Sequence, residues 1–334
     1  MSKTYILGIE TSCDETSISI VKNGRKEIAT VVLSQMEIHK LYGGVVPEIA
    51  SRKHVESITL VLEECLKKAK MKIEDIDAIA VTYGPGLIGS LLIGLEMAKV
   101  ISMVYDKPLI PVHHLAGHIY ANNLIKKLKF PLLALVVSGG HTEFVHMKEH
   151  YQFKVLGETL DDAIGETYDK VARVIGLPYP GGPEIEKLAK TGEATYPLPF
   201  PLDDGSYNFS FSGLKSAVIN LVRKEERAGR EIVKENLAAS FQKKIEEIFL
   251  KKTTQITKEY TVKNLVMAGG VAANRGIKNE IKKYSRKKRI RFSCPPIKYC
   301  TDNATMVAVA GYFAFKKGIR ADLKLSATPN QKIQ

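Results

Sequence analysis

Two histidines, His114 and His118, lie four residues apart in the segment His-His-Leu-Ala-Gly-His of residues 113–118. If residues 115–124 form a helix, side chains four apart project from one face, about one turn from each other. Two imidazoles at that spacing can chelate a divalent metal ion, and a distant carboxylate such as Asp302 can complete the ligand set. A hydrogen-bonded, half-buried histidine pair is the alternative, and the spacing alone does not decide between the two.

Three glycine-rich segments follow predicted strands and offer a second kind of chemistry. Unhindered backbone amides in such turns can bind a phosphate or a nucleotide, particularly beside a helix N-terminus. The segments are Gly84-Pro85-Gly86, Ser138-Gly139-Gly140 and Gly269-Gly270. The first extends to Gly89 and formally matches GxGxxG. A dinucleotide fingerprint also has an acidic residue about 20 residues after its glycines. We do not interpret the segment in this way, because Asp106, the acid near that position, lies in a turn.

Two predicted β-hairpins carry polar tips. The first pairs residues 5–10 with 17–21 and places Asp14 and Glu15 in its turn, and the second pairs 132–137 with 143–148 around the Ser138 segment. Their similar shape favours a duplicated domain, although no tight sequence repeat supports it. Further strands are predicted at residues 26–34, 76–82, 109–112 and 264–268, and helices at 48–70, 233–258 and 302–317.

The composition is that of a folded protein of about two domains: 334 residues, 45% hydrophobic and 25% charged. Charged residues and glycines interrupt the apolar runs, and residues 1–10 lack an apolar signal segment. Four cysteines without a CxxC pair fit a reducing compartment. We therefore expect a cytoplasmic protein with no membrane partner.

A net charge of +13 favours an anionic partner. The excess is concentrated in one short segment that contains a single acid, Glu280. Such a segment is either a solvated helix face or a surface that contacts a phosphate backbone, and its lack of aromatic residues argues against stacking on single-stranded bases. Its basic residues are Lys278, Lys282, Lys283, Arg286, Lys287, Lys288, Arg289 and Arg291.

Eight motifs, in order along the chain, together resemble the TsaD family of tRNA threonylcarbamoyladenosine transferases, formerly called O-sialoglycoprotein endopeptidases. The resemblance extends from about residue 5 to 320 and is closer to the bacterial branch. The motifs lie at residues 8–16 (GIETSCDET), 84–86 (GPG), 113–118 (HHLAGH), 137–142 (VSGGHT), 179–183 (YPGGP), 209–213 (FSFSG), 268–274 (AGGVAAN) and 300–303 (CTDN).

The resemblance implies an α/β, two-lobed actin/sugar-kinase-like (ASKHA) fold, with duplicated ribonuclease H-like domains and a nucleotide between the lobes. We expect an N-terminal lobe at residues 1–125 with the first hairpin and the histidines. The C-terminal lobe, 126–334, would carry a helical insertion at about 150–260. Its last helix, at about 302–318, could pack back on the first lobe.

The resemblance also implies a reaction. The threonylcarbamoyl group of threonylcarbamoyl-AMP would be transferred to N6 of the adenosine 3′ of the anticodon, in tRNAs that read codons beginning with A. Asp14 and Glu15 would orient the amine or take its proton. One divalent ion, Fe²⁺ or Zn²⁺, would be held by His114, His118 and Asp302. The adenylate would contact Val136, Val137, Ser138, Gly139 and Gly140, and its nucleoside would contact Asp169, Gly182, Glu186 and Asn274.

One position departs from the archaeal and eukaryotic branch, where a tyrosine ligates the metal. Here that position is Val136, which has no ligand atom. The implied partners are tRNA, a TsaB-like paralogue and a TsaE-like ATPase, with the donor supplied by a TsaC-type synthase.

Three other functions compete with the transferase. A metallopeptidase of the HExxH class needs a glutamate after the first histidine, and Leu115 stands there. A kinase or ATPase of the actin-like class could use the same glycine turns. A non-catalytic, nucleotide-dependent scaffold would use the basic segment for docking only. A reaction with donor and unmodified tRNA distinguishes these from the transferase.

Overall fold

The computed structural model describes residues 3–333, which form two compact units. The first unit contains residues up to 128, 150–152 and those from 295 onward, and the second contains 129–149 and 153–294. The strands are β1 (Tyr5–Glu10), β2 (Glu15–Lys22), β3 (Lys26–Ser34), β4 (Ala78–Gly84), β5 (Leu109–His113), β6 (Leu132–Val137), β7 (Thr142–Met147), β8 (Phe153–Glu158), β9 (Asn264–Ala268) and β10 (Arg291–Ser293).

The helices are α1 (Met36–Lys40), α2 (Pro47–Ala69), α3 (Ile88–Tyr105), α4 (His114–Ala121), α5 (Ile164–Val174), α6 (Gly181–Ala189), α7 (Ser212–Arg227), α8 (Lys234–Glu259), α9 (Arg275–Lys287), α10 (Ile297–Cys300) and α11 (Ala304–Lys316). Short 3-10 turns lie at Ile73–Asp75, Asn122–Leu124 and Gly270–Ala273.

Each unit contains a five-stranded sheet, and the two sheets have the same strand order. The first is β3-β2-β1-β4-β5 and the second, read from its corresponding edge, is β8-β7-β6-β9-β10. In both, three consecutive strands form an antiparallel meander, β1-β2-β3 and β6-β7-β8. The first strand of each meander also pairs in parallel with the strand that follows the meander in the sequence, β1 with β4 and β6 with β9. This shared topology confirms the duplicated α/β fold. The position of a nucleotide between the lobes stays a prediction.

The unit boundaries differ from those predicted from the sequence. Residues 295–333 belong to the first unit, whereas the sequence-based boundary gave all of 126–334 to the second lobe. The reason is that the apolar helix α11 packs on β1, β2 and α4. The predicted helical insertion at about 150–260 also begins later, because residues 153–158 are strand β8, which pairs with β7.

Buried apolar residues explain why these segments form the sheets. Every residue of β6 and of β9 is buried, as expected for strands covered on both faces. In the first unit, α2 begins with Pro47 in its first turn and ends at Ala69, because the left-handed backbone of Lys70 stops the helix. By length and apolarity α3 is the one helix in residues 3–333 that could span a membrane, and here it packs against β4 and α2.

Replacing Gly8 by alanine is expected to destabilise the first unit. A Cβ at Gly8 would lie 2.7 Å from the backbone nitrogen of Ala308 and would also meet the carbonyl oxygen of Ala304, so α11 would have to move away from β1. We expect a loss of about 1–3 kcal/mol, the usual cost of overpacking. Urea denaturation measures it, with Gly44→Ala as the control, because no atom lies within 4 Å of that position. An unchanged midpoint for Gly8→Ala would contradict the close packing of α11.

Asp161 connects two segments of the second unit. Its carboxylate accepts hydrogen bonds from Ser210 Oγ (2.6 Å), Ser212 Oγ (2.6 Å) and the backbone nitrogens of Phe211 (2.7 Å) and Ser212 (3.2 Å). Burial alone would raise the pKa of Asp161, but these hydrogen bonds hold it below its ordinary value. The contribution to stability is therefore present above the ordinary pKa and is lost as the pH falls through the lowered one.

Asp161→Asn is expected to lower the melting temperature of the second unit at pH 7 by about 2–4 °C, which corresponds to about 1 kcal/mol in a folded unit of about 150–250 residues. The difference from the wild type should start to shrink as the pH falls below the ordinary carboxyl pKa of about 4. It should disappear only when the pH falls below the lowered pKa of Asp161, where the wild-type carboxyl is also protonated. Thermal unfolding as a function of pH measures this. Glu226→Gln, an exposed change on α7, is the control. A difference that persists at low pH would show that charge is not the cause.

Candidate metal centre and nucleotide site

Three side chains of the first unit bring their ligand atoms together. His114 Nε2 lies 3.2 Å from His118 Nε2, and Asp302 Oδ1 lies 3.1 Å from His118 Nε2 and 3.5 Å from His114 Nε2. Ligands bound at about 2.0–2.1 Å to a tetrahedral ion lie about 3.3–3.4 Å apart. The residues therefore fit a single divalent metal ion, and the three donors leave coordination positions for other ligands.

Local structure explains how each ligand reaches this place. His113 ends β5, and its Nδ1 accepts a hydrogen bond from the N–H of Leu115 at 3.2 Å. This histidine therefore caps α4 and is not one of the candidate metal ligands. His114 and His118 then lie one turn apart on α4. Asp302 directly precedes the N-cap of α11, where Asn303 Oδ1 accepts the N–H of Met306 at 3.0 Å.

Glu10 lies behind His114 and is completely buried. Its Oε2 lies 3.3 Å from His114 Nδ1 and accepts a 2.6 Å hydrogen bond from Thr82 Oγ1, while its Oε1 accepts one of 2.6 Å from the N–H of Ser12. Ser12 Oγ also lies 3.1 Å from His114 Nδ1. A carboxylate at Nδ1 fixes the tautomer that leaves Nε2 free for a metal. Apart from its place in the first motif, nothing in the sequence indicated this role of Glu10.

The electrostatics of the centre favour a positive charge. Burial would lower the pKa of His114, but Asp302 and Glu10 outweigh it and raise this pKa to about 9. Burial would raise the pKa of Glu10, but the charge of His114 and their hydrogen bond lower it. Burial lowers the pKa of His118, and His118 Nδ1 is buried without a hydrogen-bond partner. Two carboxylates, those of Glu10 and Asp302, therefore lie close to His114, and a cation bound among these residues would neutralise their negative charge.

Asp14 and Glu15, the predicted catalytic acids, lie at the tip of the first hairpin, where β2 begins at Glu15. Burial, followed by the negative charges of Asp302 and Asp14, raises the pKa of Glu15 well above its ordinary value. The structure thus brings Glu15 into electrostatic range of Asp302. Glu15 Oε1 accepts a 3.3 Å hydrogen bond from Ser34 Oγ.

The predicted adenylate-binding segment lies in the second unit. Val136 and Val137 are completely buried in β6, whereas Gly139 and Gly140 are exposed in the turn that follows. Ser138 closes this turn, since its N–H donates to the carbonyl oxygen of His141 at 2.8 Å and its Oγ accepts the N–H of His141 at 3.1 Å. The segment therefore offers an exposed glycine turn, not side chains, to a ligand.

Two other segments with small residues pack against this turn. A Cβ at Gly165, in the first turn of α5, would lie 2.7 Å from the carbonyl oxygen of Ser138. Gly269 has φ +90° and packs against the carbonyl oxygen of Val137, so both its conformation and its surroundings require glycine. The start of α5 is thus held beside the turn, where the N–H groups of Ile164 and Gly165 donate to Thr142 Oγ1 (2.9 Å) and to the carbonyl oxygen of Ser138 (3.3 Å). The positive end of the α5 dipole therefore lies beside the turn, which favours an anion there.

The predicted nucleoside-binding residues Asp169, Gly182 and Glu186 lie on adjacent helices of the second unit. Asp169 Oδ1 on α5 accepts the N–H of Gly181 at 2.7 Å, which ties α5 to the start of α6. Burial raises the pKa of Asp169. Glu186 Oε1 on α6 accepts the N–H of Arg275 at 3.2 Å, which ties α6 to the start of α9. The structure therefore brings these residues together.

Asn274 is a structural cap as well as a predicted ligand residue. Its Oδ1 accepts the N–H of Ile277 at 3.0 Å and a 3.0 Å hydrogen bond from Gln242 Nε2. Its Nδ2 donates to Gln242 Oε1 at 3.0 Å and to Tyr168 Oη at 3.4 Å. Because both ends of the amide already have partners, Asn274 is placed to position the start of α9.

Comparison with known proteins gives the family. The TsaD family model, described as tRNA N6-adenosine threonylcarbamoyltransferase, matches residues 26–309. The chain belongs to the TsaD family. A Bacillus subtilis (strain 168) relative named tRNA N6-adenosine threonylcarbamoyltransferase is 58% identical to it, over 98% of this chain and 96% of that family member. Family membership confirms the resemblance found from the motifs.

Solved structures with low sequence identity show the same fold. Component A of the Acidaminococcus fermentans (R)-2-hydroxyglutaryl-CoA dehydratase matches with a TM-score of 0.54 and 16% identity, over 92% of this chain and 98% of that one. The T. kodakarensis HypF structure matches with a TM-score of 0.63 and 14% identity, over 97% of this chain and 49% of that one. The actin/sugar-kinase-like fold expected for the family is thus confirmed.

Proposed function

We propose that this chain transfers the threonylcarbamoyl group of threonylcarbamoyl-AMP to N6 of the adenosine 3′ of the anticodon, in tRNAs that read codons beginning with A. The observation that carries this proposal is the 58% identity, over 98% of the chain, to a relative with that activity in its name. The cluster of His114, His118 and Asp302 supports it, because a transfer from a mixed anhydride benefits from a cation at the reacting oxygens.

We assign His114, His118 and Asp302 to one Fe²⁺ or Zn²⁺ ion. When bound, such an ion supplies a Lewis acid that neutralises charge on the donor carbonyl or phosphate oxygens. The chain itself orients the ligands: Glu10 holds His114 through Nδ1, and the Asn303 cap fixes the backbone next to Asp302. The open coordination positions suit a catalytic site better than a structural one.

In this proposal, residues of the first hairpin accept the proton of the attacking amine. The exocyclic amine of adenosine is weakly basic and must lose a proton as it attacks the carbamoyl carbon. The bond from that carbon to the phosphate oxygen breaks, and AMP leaves with the electron pair. Glu15 has a raised pKa, so its carboxylate is a stronger base than an ordinary glutamate once it is ionised. We therefore assign proton transfer to a Glu15 carboxylate oxygen and orientation of the amine to Asp14.

The second unit would hold the adenylate. The exposed turn of Ser138, Gly139 and Gly140, beside the N-terminus of α5, suits the phosphate. Asp169 and Glu186 have carboxylate oxygens that can accept hydrogen bonds from ribose hydroxyls, with Gly182 allowing close approach of the sugar. Asn274 would act by holding the start of α9 in place.

The partners in this proposal are tRNA, a TsaB-like paralogue and a TsaE-like ATPase, and a TsaC-type synthase would supply the donor. Because tRNA is the acceptor, we expect the enzyme to act in the cytoplasm. These assignments follow from the family and from the basic composition of the chain.

The test is reconstitution of the reaction. The purified chain is incubated with synthetic threonylcarbamoyl-AMP and unmodified tRNA, with and without the TsaB-like and TsaE-like partners, and the nucleosides are analysed by mass spectrometry. Threonylcarbamoyladenosine that depends on this chain is the expected product. Phosphoryl transfer or peptide cleavage without that nucleoside would overturn the proposal. Metal analysis of the active preparation decides between iron and zinc.

A further inference from the structure

Helix α9 of the second unit presents a basic face to solvent. Its opposite face is buried through Ile277, Ile281 and Tyr284. Around the helix and its C-terminal end, Lys282, Lys283, Arg286, Lys287, Lys288 and Arg289 are exposed. No large exposed apolar side chain lies between residues 275 and 291, so this surface lacks the apolar contacts with which a helix inserts into a membrane.

The spacing of these charges disfavours helix formation. Lys278 and Lys282, Lys282 and Arg286, and Lys283 and Lys287 are like-charge pairs four residues apart, each of which costs a helix about 0.2–0.5 kcal/mol. Cations in the last turn do favour the helix dipole, but Lys278, Lys282 and Lys283 lie before that turn. Within residues 3–333, none of the basic side chains from Lys278 to Arg291 forms an ion pair.

The solvated helix α2 shows the contrasting pattern. Its charges alternate in sign, with ion pairs between Arg52 and Glu48 (2.7 Å), Lys53 and Glu56 (2.6 Å), and Lys68 and Glu64 (3.6 Å). A helix face selected only for solubility would be expected to resemble α2. The basic charge of α9, which a single acid, Glu280, interrupts, therefore indicates an anionic ligand that supplies the missing counter-charge.

A concave surface continues the basic face. A cavity of about 360 Å³ is lined by Lys258, Tyr260, Tyr284 and Lys288, together with residues 257, 259, 261, 262 and 290. Lys154 Nζ lies 5.5 Å from the centre of the Tyr260 ring, which adds a third cation beside the cavity. The single acid of its lining, Glu259, accepts a hydrogen bond from Tyr207 Oη. The cavity and the helix thus form one basic surface.

We propose that this surface, consisting of the exposed face of α9 with Lys258 and Lys288, binds the phosphate backbone of tRNA. The inference rests on the proposed function, because tRNA is the polyanion which that function requires. Lysine and arginine side chains that contact phosphates release condensed counterions, so such binding weakens steeply as salt increases. The residues fix the position of the tRNA and carry no base specificity.

Neutralising the helix tests this proposal. The quadruple variant K282Q/K283Q/R286Q/K287Q replaces exposed side chains with a residue of similar helix propensity, and circular dichroism checks its fold. The control K67Q/K68Q/K70Q/K72Q removes the same number of positive charges from exposed positions of the first unit. Fluorescence anisotropy with labelled tRNA, at several KCl concentrations, measures the dissociation constant of each full-length protein.

The α9 variant is expected to bind tRNA about 10–100-fold more weakly at 100 mM KCl. The slope of log K against log[salt] should fall by about 0.7–0.9 for each phosphate that the variant no longer neutralises. The control should stay within about twofold of the wild type. In the reconstituted reaction the α9 variant should show a higher KM for tRNA, with the KM for threonylcarbamoyl-AMP and kcat unchanged.

Several outcomes would overturn the inference. Equal weakening in both variants would mean that only the net charge matters. Wild-type affinity and slope in the α9 variant would place the tRNA elsewhere, and the proposed function would stand if the wild type still modifies tRNA. Loss of binding to anionic lipid vesicles, with tRNA binding retained, would assign the surface to a membrane. If the wild type forms no threonylcarbamoyladenosine, the proposed function fails, while the binding comparison still decides the role of α9.

Discussion

Asp302→Ala is expected to abolish tight metal binding and to slow threonylcarbamoyl transfer by at least about 100-fold, the loss typical of removing one group that stabilises the transition state. Asp302 is the single carboxylate among the three candidate ligands, and its Oδ1 lies 3.1 Å from His118 Nε2 and 3.5 Å from His114 Nε2. Without it, two buried imidazoles would have to hold a divalent cation with no negative ligand. The loss of metal affinity should exceed the loss of about 10–100-fold that follows when a residue that only orients a ligand is replaced.

Metal content after dialysis, measured by mass spectrometry, and turnover with donor and tRNA test this prediction. The side chain of Asp302 is 23% exposed, so its removal leaves no closed cavity, and the metal-free variant should melt close to the metal-free wild type. Glu63→Ala, which removes an exposed acid from α2, should keep both metal and activity. A variant at Asp302 that retains one tightly bound ion would show that the ligand set is different.

Glu10→Gln is expected to weaken metal binding by about 10–100-fold although Glu10 is not itself a candidate ligand. The carboxylate accepts hydrogen bonds from the N–H of Ser12 and from Thr82 Oγ1, and lies 3.3 Å from His114 Nδ1. A glutamine has one acceptor oxygen, and its NH₂ group would face one of these donors or the histidine. The imidazole of His114 would then lose the partner that fixes its orientation and tautomer.

Competition with a chromophoric chelator gives the metal dissociation constant, and the absorption spectrum of the cobalt-substituted protein reports the ligand geometry. Ser12→Ala is the graded control: it removes the 3.1 Å contact of Ser12 Oγ with His114 Nδ1 but leaves the carboxylate, so its effect should be smaller. If Glu10→Gln changes thermal stability but neither the dissociation constant nor the cobalt spectrum, Glu10 supports the fold and not the metal centre.

The local features and the family were predictable from the amino-acid sequence. The four-residue spacing of His114 and His118 predicted a shared helix face, which α4 confirms. Alternating and continuous apolar runs located eight of the ten strands in residues 3–333, because burial imposes a pattern that can be recognised within a few residues. The ordered motifs identified the TsaD family, and the match to its model confirms it.

Strands β8 and β10 were not predicted. Strand β8 is only partly buried at the sheet edge, so it lacks the apolar run of β6. Strand β10 has three residues, too few for a recognisable pattern. The shared strand order of the two sheets could not be read from the sequence either, because it is preserved in the pairing of the strands and not in a repeat of residues.

Tertiary structure alone decided how the candidate metal centre is built. The resemblance named Asp302, but its position follows from α11, which returns from the end of the chain to pack on β1 and α4. Glu10 reaches His114 across 104 sequence positions, through the pairing of β1 with β4 and of β4 with β5. Sequence periodicity reports which face of an element is buried. The packing of the whole unit determines which distant elements share that buried space.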